Sequence, residues 1–183
     1  MSNWKLPWDG GCRCGQVRFR VSVAPLLTMA CHCRGCQRMS ASAYSLSAAI
    51  PTEGFAVIQG EPVIGGLHGA TRHYFCSHCK SWMFTKPEGL DHFVNVRPTL
   101  LDDASWVEPF VETFIKTRLP SVATGAKYSY DEFPPFEDFA KLIEDYAQTG
   151  PRPGQMNQSI ARVETFSPSF GSGTRTKPSA DGA

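Results

Sequence analysis

Apolar and polar residues alternate strictly through GQVRFRVSV, residues 15–23. Val17, Phe19, Val21 and Val23 take one face and Arg18, Arg20 and Ser22 the other. That period predicts a half-buried strand. AYSLSAAI (43–50) and FAVIQG (55–60) predict two more strands, broken by Pro51 and Gly54. RHYFC (72–76) runs into a turn at 77–79 and SWMF (81–84) leaves it, the pattern of a hairpin. HFVNV (92–96) and FVETFIKT (110–117) predict further strands. Short strands punctuated by Gly and Pro argue for an antiparallel, mostly β domain.

The period changes once, late in the chain. In PPFEDFAKLIEDYAQTG (134–150), Phe136, Phe139, Leu142, Ile143 and Tyr146 recur at helical spacing. Pro135 suits a first turn, Glu137 and Asp138 suit the positive end of the helix dipole, and Gly150 suits the stop. Glu137 and Lys141 stand at a favourable i,i+4 spacing. The apolar face predicts a helix that buttresses or lids the sheet. From Pro151 onward the chain is rich in Ser, Gly, Pro and Thr and has no period. The expected organisation is one domain over 1–150 and a flexible tail over 151–183.

Composition adds limits. With 183 residues, 42% hydrophobic, the chain is long enough for one buried core. A net charge of +1 without like-charge runs gives no sign of a nucleic-acid or acidic-membrane partner. The start, MSNWKLPWDGG, lacks the apolar core of a signal peptide, and no stretch approaches a membrane span. The expected setting is the cytoplasm, where thiols stay reduced and clustered cysteines point to metal or catalysis. The oligomeric state is left open.

The chemistry lies in seven cysteines, all of them in three clusters. Cys12 and Cys14 form C-x-C; Cys31, Cys33 and Cys36 form C-x-C-x-x-C in CHCRGCQRMS; Cys76 and Cys79 form C-x-x-C. Residues i and i+2 of an extended chain face the same side, and a tight C-x-x-C turn also converges two thiolates. Gly10, Gly11 and Gly15 allow sharp turns around the first pair. Zinc is the candidate ion, since it takes thiolates in a tetrahedron, with four protein ligands in structural sites and three in catalytic ones. One partition closes a cage with Cys12, Cys14, Cys76 and Cys79 and leaves Cys31, Cys33 and Cys36 with a fourth position open. Spacing alone leaves rivals. Cys33 and Cys36 can join Cys76 and Cys79 as a zinc ribbon, and His32 or His78 can be a ligand. Two purely structural zincs are a further alternative.

Three thiolates around one Zn²⁺ carry net negative charge, so such a zinc is a weak Lewis acid and a poor source of hydroxide. It still favours a fourth thiolate, because zinc deprotonates a coordinating thiol. The chemistry expected is therefore at sulfur, in making or breaking a carbon–sulfur bond.

GGCRCGQVRF, CHCRGCQR and YFCSHC together resemble the glutathione-dependent formaldehyde-activating enzyme family, which includes centromere protein V. The likeness spans about residues 10–100 and carries all seven cysteines in order. It implies a fold of several coiled antiparallel sheets around two zinc sites, similar to methionine-sulfoxide-reductase-B and Rab-binding zinc proteins. It implies a structural zinc on Cys12, Cys14, Cys76 and Cys79 and a catalytic zinc on Cys31, Cys33 and Cys36. The implied activity is a carbon–sulfur lyase reaction that joins glutathione and formaldehyde as S-hydroxymethylglutathione. Two positions depart from the usual pattern: Lys80 follows the C-x-x-C where glycine is common, and Pro120-Ser121 stands where Pro-Trp is common.

The remaining residues weigh less. Arg34, Gln37 and Arg38 flank the three-cysteine stretch, and arginine forks bind carboxylates, yet loop arginines are commonly solvated. His73 and His92 are candidate acid–base groups by residue type, but a lone histidine in a strand reads as structural. Ser40, Ser42 and Ser45 lack a partnered base, and Trp82 and Met83 read as packing around the structural metal. The rivals to an enzyme acting on a small thiol and a small aldehyde are a non-enzymatic zinc module that binds a protein, and a redox enzyme. The last needs a reactive cysteine outside the clusters, and there is none.

Overall fold

A computed structural model describes residues 4–154, so positions 155–183 of the expected tail lie outside the described residues. The first strands are β1 (Trp8–Gly11), β2 (Arg18–Val21) and β3 (Leu27–Cys31). Helix α1 (Arg34–Ser40) and strands β4 (Ser45–Pro51) and β5 (Phe55–Gln59) follow. Then come β6 (Pro62–His68), β7 (Thr71–Cys76), β8 (Trp82–Lys86) and β9 (Phe93–Val96). The last elements are β10 (Val111–Thr113), β11 (Tyr128–Ser129) and α2 (Asp138–Thr149).

The strands form two open sheets, a 3-stranded one in the order β1-β2-β5 and an 8-stranded one in the order β11-β10-β3-β4-β9-β8-β7-β6. β2 keeps its predicted alternation: Phe19 and Val21 are buried and Arg20 is exposed. β4 is covered on both faces, as suits an apolar strand between two neighbours. The predicted hairpin is β7–β8, with Phe75 opposite Trp82.

Three expectations need correction. The large sheet is mixed: β10 runs parallel to both β3 and β11, and that register sets Thr113 beside Cys31. The strand expected over 110–117 shrinks to Val111–Thr113, because Phe114 turns into the left-handed region (φ +56°) and starts a 3-10 turn. The single late helix has a second companion in α1, whose sequence RGCQRMS has no apolar period to announce it.

The late helix is the predicted buttress, though it starts after Phe136, which is 91% exposed. Leu142 and Tyr146 are buried, and the Tyr146 ring stacks on Trp4 and meets Phe110 edge-on. Gly150 caps the helix end, where a Cβ would lie 2.5 Å from the Tyr146 ring. One continuous apolar core joins both sheets through Phe19, Val21, Ile50, Met83, Val96 and Val111. Among the described residues, no helix is long and apolar enough to cross a membrane.

Candidate functional site

The seven cysteines are all unpaired thiols and gather as four and three. Cys12 and Cys14 follow β1; Cys76 ends β7 and Cys79 sits in the hairpin turn. Their four sulfurs lie within 4.8 Å of one another, with 3.4 Å between Cys12 and Cys14 and 3.8 Å between Cys14 and Cys76. Sulfurs at the corners of a zinc tetrahedron stand about 3.8 Å apart, given zinc–sulfur bonds of about 2.3 Å. The donor set and its spread therefore fit zinc. Local groups favour the thiolate form at Cys12 and Cys79, whereas the neighbouring sulfurs push Cys14 up. The Val17 N–H donates to the Cys12 sulfur at 3.3 Å, and the Ser81 hydroxyl lies 3.2 Å from Cys79. The Ser81 contact lowers the Cys79 thiol to about 5. Gly15, at φ +76°, closes the turn that carries the first pair.

Cys31, Cys33 and Cys36 form the second group, also within 4.8 Å, and no fourth Cys, His, Asp or Glu of the described residues joins it. Cys31 ends β3, Cys33 caps α1, and Cys36 lies in its first turn, where its N–H donates to the Cys33 sulfur at 3.4 Å. The Cys31 contact holds the Cys36 thiol down at about 5, helped by Ser45, Cys33 and the Arg97 cation. The same contact and burial push Cys31 up, against a hydrogen bond from Thr113.

The zinc-ribbon grouping does not occur, because Cys33 and Cys36 sit with Cys31 and not with Cys76 and Cys79. Neither histidine joins a group. His78 is exposed on the hairpin turn. His32 is fully buried, its Nε2 3.1 Å from Glu112 Oε2 and its ring against Tyr44. Glu112 is saturated there by Ser129, Thr124 and Arg118 as well. Gln37 donates to the His32 and Thr117 carbonyls, so it clamps the turn, and Arg34 in turn donates to Gln37. Arg38 is exposed.

The three thiols open onto a cavity of about 360 Å³ that also reaches Ser45, His73, Trp82, Thr85 and Arg97. The Thr85 hydroxyl oxygen is its hub. It accepts from Arg97 Nη2 at 3.0 Å and Trp82 Nε1 at 3.2 Å, and lies 2.9 Å from His73 Nδ1. Trp82 was expected beside the structural metal as packing. Met83 takes the core side of β8 instead, and the alternating face puts Trp82 in the cavity wall. The Arg97 guanidinium stacks on the Trp82 ring at 3.8 Å.

A family model described as glutathione-dependent formaldehyde-activating enzyme matches residues 7–117. The chain belongs to this family. The matched span holds all seven cysteines and ends just after β10. Membership ties the chain to glutathione- and formaldehyde-related chemistry. A crystal structure of a Rhodobacter sphaeroides protein is similar over 67% of this chain and 98% of its own, with a TM-score of 0.45 and 16% identity.

Within this family member, sequence reasoning missed Arg97, the cation that lines the thiol cavity. Arg97 lies in NVRPTLLDD, 61 positions beyond Cys36, and only the β4–β9 and β8–β9 pairings bring it there. Ser40, Ser42 and Ser45, set aside for want of a base, line a neighbouring cavity of about 420 Å³ with Lys80.

Proposed function

We propose that the protein is a zinc-dependent carbon–sulfur lyase that condenses glutathione with formaldehyde to S-hydroxymethylglutathione. Cys12, Cys14, Cys76 and Cys79 hold a structural zinc, and Cys31, Cys33 and Cys36 hold the catalytic one. The observation that carries this reading is a group of three thiols that no fourth Cys, His, Asp or Glu among the described residues joins, opening onto a cavity. When bound there, zinc keeps one position for an incoming thiol and favours its thiolate form.

The chain's own groups do the rest. Ser45 and Thr113 line the cavity beside Cys36 and Cys31 and favour their thiolate forms, and the Arg97 cation offsets the negative charge of the cluster. Phe114, Phe133 and Met29 supply the apolar wall that limits water near the aldehyde. In the reaction a carbon–sulfur bond forms at the carbonyl carbon, and the thiol proton ends on the former carbonyl oxygen.

Exchange NMR of glutathione–formaldehyde mixtures tests the proposal against the spontaneous rate. The zinc-loaded protein should accelerate exchange in proportion to its concentration, and Cys33→Ala should abolish the effect. No acceleration would overturn the reading. The rival, a protein-binding zinc module, has one observation on its side: Val57, Ile58, Val63, Ile64 and Leu67 expose apolar surface on β5 and β6. It predicts no acceleration and two zincs equally inert to added glutathione.

A further inference from the structure

We propose that the cavity lined by Ser40, Ser42, Lys80 and Arg97 is a carboxylate-binding subsite for the remote, charged end of the thiol substrate. The inference rests on the thiol chemistry assigned to Cys31, Cys33 and Cys36. The two cavities share Ser45, Trp82 and Arg97 as a common wall. The two cavities are thus immediate neighbours, and in this proposal a ligand whose sulfur lies at the cysteines extends its other end into the second one. At about 420 Å³ that space lies within the range of small-molecule sites. Its lining holds two cations and several hydroxyls and no acidic residue.

Arg97 is the first independent observation. It is only 9% exposed, and its Nε has no hydrogen-bond partner among the described residues. Its Nη1 donates to Leu46 O and its Nη2 to Thr85. No carboxylate of the described residues pairs with it. A buried cation calls for a counter-charge. Burial lowers Arg97 to about 10, opposed by the thiols of Cys36 and Cys31, and the residue also lines the second cavity.

Lys80 is the second. Its backbone sits at φ +59°, a region disfavoured for any residue with a Cβ. Glycine would relieve that conformation, yet the position carries a long cation. Its Nζ donates to Ser77 O at 2.7 Å, and the residue lines the cavity. The chemistry recognised is that of a carboxylate-bearing thiol, as in a peptide thiol with free acid groups, bound by charge-assisted hydrogen bonds.

Calorimetry on the zinc-loaded full chain with S-methylglutathione, whose sulfur is blocked, reads this cavity apart from catalysis. The acid should bind about tenfold or more tightly than its diethyl ester, as expected for hydrogen bonds to charged groups. Lys80→Gly should cut that acid-over-ester preference about tenfold without lowering the melting temperature. Equal binding of acid and ester, no binding of either, or an undiminished preference in Lys80→Gly would overturn the subsite. The formaldehyde assay separates the two readings. A preference for the acid without any condensation leaves the subsite standing and removes the lyase. Condensation of glutathione and its diester at equal rates leaves the lyase standing and removes the subsite.

Discussion

The Nε2 of His32 lies 3.1 Å from Oε2 of Glu112, and both side chains are buried. A histidine placed between two site cysteines is thereby engaged with a carboxylate on β10, 80 positions away. The pair ties the three-cysteine turn to the strand beside it.

Glu112→Gln should destabilise the protein by about 3 kcal/mol, because it breaks a buried, multiply bonded charge network. The pH dependence follows from the direction of the shift. Burial opposes ionisation, but Ser129, Thr124, His32 and Arg118 together hold Glu112 below its usual 4.5. Its contribution is therefore complete above that value and is lost as pH falls through the lower folded value. Denaturant midpoints measured from about pH 6 to pH 3 should fall more steeply for the wild type than for the variant.

Cys76→Ala and Cys33→Ala should differ in kind. The first opens the four-thiol cage and should leave a largely unfolded chain, since structural zinc binding is itself folding free energy. The second should remain folded, with a lower zinc content and no acceleration of glutathione–formaldehyde exchange. Far-UV circular dichroism and metal analysis by mass spectrometry report both. Equal unfolding of the two variants would count against separate roles.

Thr85→Val keeps the side-chain volume and removes the oxygen that Arg97 and Trp82 donate to. Two buried or half-buried donors then lack an acceptor, at a cost of about 2 kcal/mol. Chemical denaturation measures it, and Trp82 fluorescence should shift as its indole N–H loses its partner. An unchanged stability would mean that water replaces the hydroxyl.

Gly150→Ala should destabilise α2 by about 1–3 kcal/mol. The new Cβ would fall 2.5 Å from the Tyr146 ring and 2.6 Å from its carbonyl oxygen. The Tyr146–Trp4 stack must move to admit it. Thermal melts test this, and a neutral result would show that the helix end relaxes freely.

Much of this architecture could be read along the chain. The alternation in 15–23 marked β2, and C-x-x-C between two short apolar runs marked the β7–β8 turn. Helical spacing of Phe139, Leu142, Ile143 and Tyr146 marked α2. Helix α1 was not legible, because a seven-residue helix capped by a cysteine sulfur has no apolar face of its own to display. The parallel seat of β10 was equally hidden, since Val111–Thr113 are buried whichever way their neighbours run.

The sequence by itself determined the local chemistry: seven thiols, their three spacings, and the family those motifs belong to. Such features depend on backbone geometry over a few residues. Only the tertiary structure decided which thiols share a space and which charges stand beside them. Cys14 meets Cys76 across 62 positions, and Arg97 joins the thiol cavity through strand order. Sheet pairing brings those groups together, and the pairing is set by burial of the whole core, which no single short segment encodes.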